Sequence, residues 1–194
     1  HQAYQQVKKR SSRYGTCLFF IGFSMGGLLG VDLFTSNPYI KFDKIVLFAP
    51  ALKMRNRNYL LKTMSPFPGL VVPSFGPEAY RANKGTPMAA YNALFEAAKH
   101  FEKNPDPKIN VPTVVFIDEQ DELISFSGLQ EIIRKQNLDQ WNLHPVAKDK
   151  AATEIEMHHI IIDEASVGKH MWKEIVDTTI THLLYEPAAC VPGK

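Results

Sequence analysis

The chain has 194 residues, of which 45% are hydrophobic and 22% are charged, and its formal net charge is +2. This length allows one domain with a substantial core, and the composition is that of an ordinary globular protein. The small net charge argues against a nucleic acid partner. No stretch reaches the ~18 apolar residues of a membrane-spanning helix, so we expect no integral membrane segment.

The two cysteines, Cys17 and Cys190, are too few for a disulfide framework. Cys17 lies in an apolar run and is expected to be a small buried side chain. The sequence shows no signal peptide, which favours a cytoplasmic location.

The predicted elements alternate between helix and strand along most of the chain. Residues 3–13 have the pattern of an amphipathic helix, and residues 16–22 form a continuous apolar run between glycines. Such a run predicts a strand buried on both faces, as in a parallel sheet. An apolar helix is predicted at 25–34, further strands at 44–49, 113–117 and 141–146, and further helices at 128–137 and 167–184. This alternation predicts an α/β fold in which helices flank a parallel sheet.

Residues 51–107 interrupt this alternation. The segment is rich in proline, methionine and aromatic residues, and it is too long for a simple crossover. We therefore predict a core formed by residues 1–50 and 108–194, with a cap or lid inserted at 51–107 whose clearest helix is at 87–102.

A short motif at residues 22–26 indicates a nucleophile. Gly-Phe-Ser-Met-Gly fits the pattern G-x-S-x-G, and it follows a predicted buried strand and opens a predicted helix, as a nucleophile elbow requires. Ser24 is then the candidate nucleophile, and the backbone N–H of Met25 is a candidate oxyanion donor. The alternative is a glycine-rich turn with an incidental serine.

A serine nucleophile needs a base, and at such an elbow an acid and then a histidine should follow along the chain. Four carboxylates follow the strand at 113–117: Asp118, Glu119, Asp121 and Glu122. Asp121 is favoured because Ile124, three residues later, can anchor the loop in the core. The other carboxylates could be surface charge. A calcium loop is the alternative, but the EF-hand spacing and its glycine are absent.

The candidate base is one of two adjacent histidines, His158 and His159. Such a pair could also belong to a metal site, but cysteine or histidine partners at metal-ligand spacing are lacking. We therefore expect neither a metal nor another cofactor.

Together these residues resemble the α/β-hydrolase family, especially its monoglyceride lipase and carboxylesterase-like members, over nearly the whole chain. The resemblance rests on the elbow at 21–27, the strands at 45–50 and 111–117, and the turn at 121–124. The family often has glycine at the position of Asp118, so this loop is more acidic than usual.

The resemblance implies a catalytic triad of Ser24, Asp121 and a histidine, for which it favours His158. Family members often carry an acid five residues after the histidine, here Asp163. An apolar series follows at Val167, Met171, Trp172 and Ile175. Choosing His159 keeps an acid at this distance, Glu164, but breaks the match to the series.

The implied activity is hydrolysis of a small-molecule carboxylic ester through an acyl-enzyme on Ser24. The apolar, methionine-rich cap suggests a lipophilic acyl group, as in esterases, lysophospholipases and monoacylglycerol lipases. A thioesterase or amidase with the same triad, and a non-catalytic binding module, remain alternatives.

The chain departs from the family before the elbow, where the family has four strands and a loop that supplies a second oxyanion donor. The run at 17–21 is apolar on both faces and should have a neighbour on each side, whereas only the strand at 44–49 supplies one. An edge of this kind is prone to aggregation. We therefore expect an additional N-terminal segment, or a second polypeptide, to complete the sheet.

Overall fold

The computed structural model describes residues 2–74, 76–149, 153 and 155–185. In chain order its helices and strands are α1 (Gln2–Tyr14), β1 (Phe19–Phe23), α2 (Ser24–Ser36), β2 (Lys44–Phe48), β3 (Val71–Pro73), β4 (Gly85–Pro87), α3 (Met88–Lys103), β5 (Thr113–Asp118), α4 (Phe126–Lys135), β6 (Trp141–Val146), α5 (Glu164–Val167) and α6 (Lys169–Ile180). Short 3-10 helices occupy Asn56–Met64, Glu78–Tyr80 and Pro107–Ile109, and a π-helical turn follows at Thr181–Tyr185.

Within the described residues, four strands form a parallel sheet in the order β1-β2-β5-β6. The predicted parallel sheet flanked by helices is thus confirmed, and all four predicted strands are present within three residues of their predicted ends. Strands β3 and β4 form a separate antiparallel pair.

Alternating side chains of the central strands build a core on each face of the sheet. Ile45 and Leu47 of β2 pack in the cluster that contains residues of α2, α3 and α4. Val46 and Phe48 pack in the cluster on the other face, with Val167 and Ile175. Burial on both faces explains why the sequence of β2 is continuously apolar apart from Lys44.

Strand β1 is the outermost strand of this sheet among the described residues. Its residue Ile21 is 55% exposed, and Leu29 on the following helix is 53% exposed. The described residues thus provide a neighbour on one side of β1, from β2.

The helix predicted at 87–102 is α3, and part of it belongs to the main core. Phe95, Ala98 and Phe101 are buried in the same cluster as residues of α2 and α4. Phe101 also stacks on Trp141 of β6, with ring centroids 6.5 Å apart. Part of the segment 51–107 thus packs in the same core as the flanking helices.

Two further details differ from the sequence prediction. The helix predicted at 167–184 is divided at Gly168, whose φ of 88° is favourable only for glycine. Cys17 is half-buried, where a small buried side chain was expected; Cys190 lies outside the described residues. No helix within the described part of the chain is long and apolar enough to cross a membrane.

Candidate active site

The elbow lies at the carboxyl end of β1, where the strand passes directly into α2. Ser24 begins the helix with φ 49°, a left-handed conformation that is rare for a residue other than glycine and is frequent at functional sites. A Cβ at Gly22 would approach the Cα of Gly27 to 2.7 Å, and a Cβ at Gly27 would lie 3.1 Å from Pro50. Gly22 therefore allows β1 and α2 to approach closely, and Gly27 allows α2 to pack against Pro50.

Ser24 is hydrogen-bonded to a histidine that is in turn hydrogen-bonded to an aspartate. The Oγ of Ser24 lies 2.8 Å from Nε2 of His159, and Nδ1 of the same ring lies 2.8 Å from Oδ2 of Asp121. Asp121 is 0% exposed and His159 is 5% exposed. All three residues follow strands of the parallel sheet and meet at its carboxyl edge.

The carboxylate of Asp121 is fixed by its own loop. Its Oδ1 accepts the backbone N–H groups of Leu123 and Ile124 at 2.7 and 2.8 Å, which leaves Oδ2 for the histidine. Ile124 is buried in the main core, as the choice of Asp121 assumed. Because a carboxylate only accepts, His159 donates through Nδ1–H, and its Nε2 can accept the Ser24 hydroxyl proton.

The structure does not bring His158 to Ser24, and here it corrects the sequence-based choice between the two histidines. Nδ1 of His158 lies 2.7 Å from Oδ2 of Asp118 instead. The spacing argument was right about the helices: Val167 and Ile175 are buried, and Asp163 caps α5. It was wrong about the preceding loop. Asp163, the acid at this cap, lies four residues after His159, which contacts Ser24, and not five as the family spacing predicts.

Two carboxylates that the sequence analysis did not choose also contact the histidine pair. Asp118 is 2% exposed and bonds His158, and the carboxylate of Glu122 accepts the backbone N–H groups of both histidines. Only Glu119 of the four carboxylates is exposed. For Asp118 the available signal was the spacing of two aspartates, Asp118 and Asp121, beside two adjacent histidines.

Lys148 carries a positive charge into this group of acids. Its Nζ donates to the carbonyls of Met157 at 2.6 Å and Ile155 at 3.3 Å, which ties the histidine loop to the end of β6. Burial lowers the pKa of Lys148, and the negative charges of Asp118 and Glu122 partly oppose this effect.

An apolar cavity of about 540 Å³ opens beside Ser24. Its walls come from the segment after β2, from α3 and from the loop after β5, and they include Met25, Met54, Leu61, Met64, Leu94 and Ile124. Arg57 and Asn58 are polar residues on the same wall. A cavity of this size and character matches a site for the apolar part of a small molecule.

The first N–H groups of α2 lie next to Ser24. Met25 is the second residue of α2, and the first N–H groups of a helix lack acceptors within the helix. These groups and the helix dipole favour negative charge at this end. Within the described residues, no group of three or more His, Cys, Asp or Glu side chains could hold a metal ion.

A serine–histidine–aspartate chain at the carboxyl edge of a parallel sheet, with the serine on a strand-to-helix elbow, is the arrangement of α/β-hydrolase-type proteins. Comparison with known families agrees, since the model of a hydrolase family described as serine aminopeptidase, S33, matches residues 1–85. The sequence has no significant match among curated proteins.

Several solved structures share the fold. The chain is similar to a monoacylglycerol lipase of Paleococcus ferrophilus, with 16% identity, a TM-score of 0.65, and coverage of 93% of this chain and 74% of that one. It resembles a structure reported for the metagenome-derived lipolytic enzymes LipS and LipT, with 19% identity, a TM-score of 0.67, and coverage of 94% and 69%. A monoglyceride lipase variant from Saccharomyces cerevisiae gives 14% identity, a TM-score of 0.68, and coverage of 94% and 67%. At such identities the likeness shows the fold: this protein has the α/β-hydrolase fold.

Proposed function

We propose that this protein is a carboxylic ester hydrolase that acts through an acyl-enzyme on Ser24. The observation that carries the proposal is the pair of 2.8 Å hydrogen bonds that joins Ser24, His159 and Asp121 in a buried chain. Nucleophile, base and orienting acid then stand in the order that acyl transfer requires.

In the first half of the reaction, Nε2 of His159 takes the hydroxyl proton while Oγ of Ser24 forms a bond to the ester carbonyl carbon. Asp121 holds the ring and stabilises the imidazolium that forms. The N–H of Met25 donates to the oxyanion of the tetrahedral intermediate. Collapse breaks the bond to the alcohol oxygen, which leaves with the proton from His159.

In the second half, His159 takes a proton from a water molecule, whose oxygen attacks the acyl carbon on Ser24. The bond between the acyl carbon and Oγ then breaks, and the proton on His159 returns to Ser24. The products are a carboxylic acid and the free serine, so neither a metal nor an organic cofactor is needed.

The acyl group is lipophilic and lies in the apolar cavity beside Ser24. Residues of the segment 51–107, among them Met54, Leu61 and Met64, form much of its wall. This segment therefore acts as the cap of the site, with its α3 anchored in the core. Methionine side chains adapt to different shapes, which suits flexible acyl chains.

A further strand is expected to pair with the outer edge of β1. This part of the proposal is supported by the exposed Ile21 and by an apolar groove of about 500 Å³ between β1 and α6, lined by Phe23, Trp172 and Ile180 among others. The same additional segment would supply the second oxyanion donor. Loss of one oxyanion donor typically lowers kcat by about 10²–10³-fold.

Turnover of p-nitrophenyl esters tests the proposed function. Ser24→Ala should keep the fold and lower kcat/KM by several orders of magnitude, because the nucleophile is lost. Ser12→Ala on the exposed face of α1 is the control and should match the wild type. Activity of Ser24→Ala within tenfold of this control would rule out the mechanism.

A further inference from the structure

His159 lies in a loop without regular secondary structure, between β6 and α5. Its ring is held at both nitrogens, but ring contacts alone do not fix the backbone from which the ring projects. The carboxylate of Glu122 makes the contact that does so: Oε1 accepts the N–H of His158 at 2.9 Å, and Oε2 accepts the N–H of His159 at 3.0 Å.

We propose that Glu122 is a positioning residue that holds the backbone of His159 in the geometry needed to deprotonate Ser24. This inference rests on the proposed function and deepens it. Hydrogen bonds from backbone amides to a carboxylate are charge-assisted and stronger than neutral ones. Two of them to consecutive residues restrict both the position and the rotation of the peptide that carries the imidazole.

One short loop thereby controls the whole histidine. Asp121 contacts the ring of His159, and Glu122, the next residue, contacts its backbone N–H. The same loop therefore holds both the ring and the backbone of His159. A displacement of about 1 Å at a reacting group can cost 10²-fold in rate. The distance of 2.8 Å between Nε2 and the Ser24 hydroxyl is therefore sensitive to this contact.

The loop that carries Glu122 is in turn held by the segment that lines the cavity. Nη2 of Arg57 and Nδ2 of Asn58 donate to the carbonyl of Glu122 at 2.9 and 3.2 Å. Both residues also line the apolar cavity. Glu122 thus connects the segment that lines the cavity to the backbone of His159, the proposed base.

The histidine loop has other attachments, so loss of Glu122 should leave the protein folded. Asp118 bonds the His158 ring at 2.7 Å, and Lys148 bonds the carbonyl of Met157 at 2.6 Å. Both contacts act on residues before His159. Glu122 is the described side chain that bonds the amide of His159 itself.

The test compares Glu122→Gln with Glu119→Gln in the full chain, with kcat expressed per active site titrated by a fluorophosphonate. The amide of the glutamine retains one acceptor and turns a donor toward the other N–H. We expect kcat to fall about 10–100-fold with KM within about twofold of the wild type. Glu119 is exposed on the same loop and undergoes the same chemical change, so its variant should match the wild type.

Glu122→Asp separates geometry from charge. It keeps the carboxylate but is one methylene shorter, so it should also lower kcat if placement of the two acceptors is what matters. Values of kcat per active site within twofold of Glu119→Gln for both variants would overturn the positioning role. A loss of titratable sites with unchanged kcat per site would overturn it as well, because it would indicate a role in folding only.

Failure of this inference can be told apart from failure of the proposed function. If turnover depends on Ser24 while Glu122→Gln and Glu122→Asp both equal the control, only the positioning role is wrong. If Ser24→Ala is as active as the wild type, the proposed function fails and the positioning role fails with it.

Discussion

At the residue scale, two adjacent histidines have different surroundings. His159 lies between Asp121 and Ser24 and is almost fully buried, whereas the side chain of His158 is 17% exposed and faces Asp118. Each imidazole thus has its own carboxylate, but only one reaches the serine hydroxyl. The end of β5 and the loop after it therefore provide a carboxylate contact to the ring of each histidine.

This difference predicts unequal effects of alanine substitutions at the two positions. His159→Ala should lower kcat/KM for a p-nitrophenyl ester by several orders of magnitude, because among the described residues it is the His159 ring that contacts the Ser24 hydroxyl and can take its proton. His158→Ala should lower it moderately, since it disturbs the loop but not the base. The reverse ranking in steady-state assays would show that His158 supplies the base.

The two glycines of the elbow motif are predicted to differ as well. A Cβ at Gly22 would come within 2.8 Å of the Phe20 ring as well as close to Gly27, whereas one at Gly26 would meet no described heavy atom within 4 Å. Gly22→Ala should lower the free energy of unfolding by about 1–3 kcal/mol through overpacking. Gly26→Ala should be neutral or stabilising by up to about 1 kcal/mol, because alanine favours a helix.

Urea unfolding of the two variants measures this difference, and each variant serves as the control for the other. Equal destabilisation by both would mean that the close approach of β1 and α2 does not set the requirement for glycine.

At the scale of elements, periodicity and burial predicted most of the secondary structure. The strands β2 and β5 are continuously apolar because both faces of the sheet are covered, and α4 has an apolar stripe that packs on the core. The sequence could not show that α3 packs on α2 and β6. An apolar helix face has the same residue pattern whether it packs on the main core or inside a cap. Residue spacing also could not decide which histidine contacts Ser24, because residues in an irregular loop follow no regular spacing.

A hydrogen bond links the segment before α3 to the helices that follow the histidine loop. Oη of Tyr80 donates to both carboxylate oxygens of Asp163, at 2.9 and 3.0 Å, and Asp163 caps α5. Burial raises the pKa of the Tyr80 hydroxyl, and the bond to Asp163 raises it further. The protonated phenol is therefore favoured in the folded protein.

Tyr80→Phe should lower the free energy of unfolding by about 0.5–1.5 kcal/mol at neutral pH. Since the pKa is raised on folding, this contribution is fully present below the ordinary pKa of 10.0 and is lost as the pH rises through the raised value. Denaturant unfolding at pH 7 and pH 11 checks it, with Tyr39→Phe, which is 75% exposed, as the control. A difference between the two variants that persists unchanged at pH 11 would contradict the assignment.

At the scale of the whole molecule, the sheet explains why the site could be predicted in part. In a parallel sheet the carboxyl ends of the strands share one edge, so residues that follow different strands meet there. The sequence therefore predicted the neighbourhood of Ser24 and Asp121. It did not predict the contact made by Glu122. This carboxylate binds backbone N–H groups, which are the same whatever the side chain, so the residue types at 158 and 159 do not indicate it.

The proposed role of Ser24, activated by His159, is that of the nucleophile. Its most direct test is labelling with a fluorophosphonate probe, followed by mass spectrometry of the labelled peptides. We predict one label per chain, on the peptide that contains Ser24, and a labelling rate reduced by orders of magnitude in His159→Ala. A label on another residue, or ester hydrolysis by a chain whose Ser24 remains unlabelled at saturating probe, would contradict the claim.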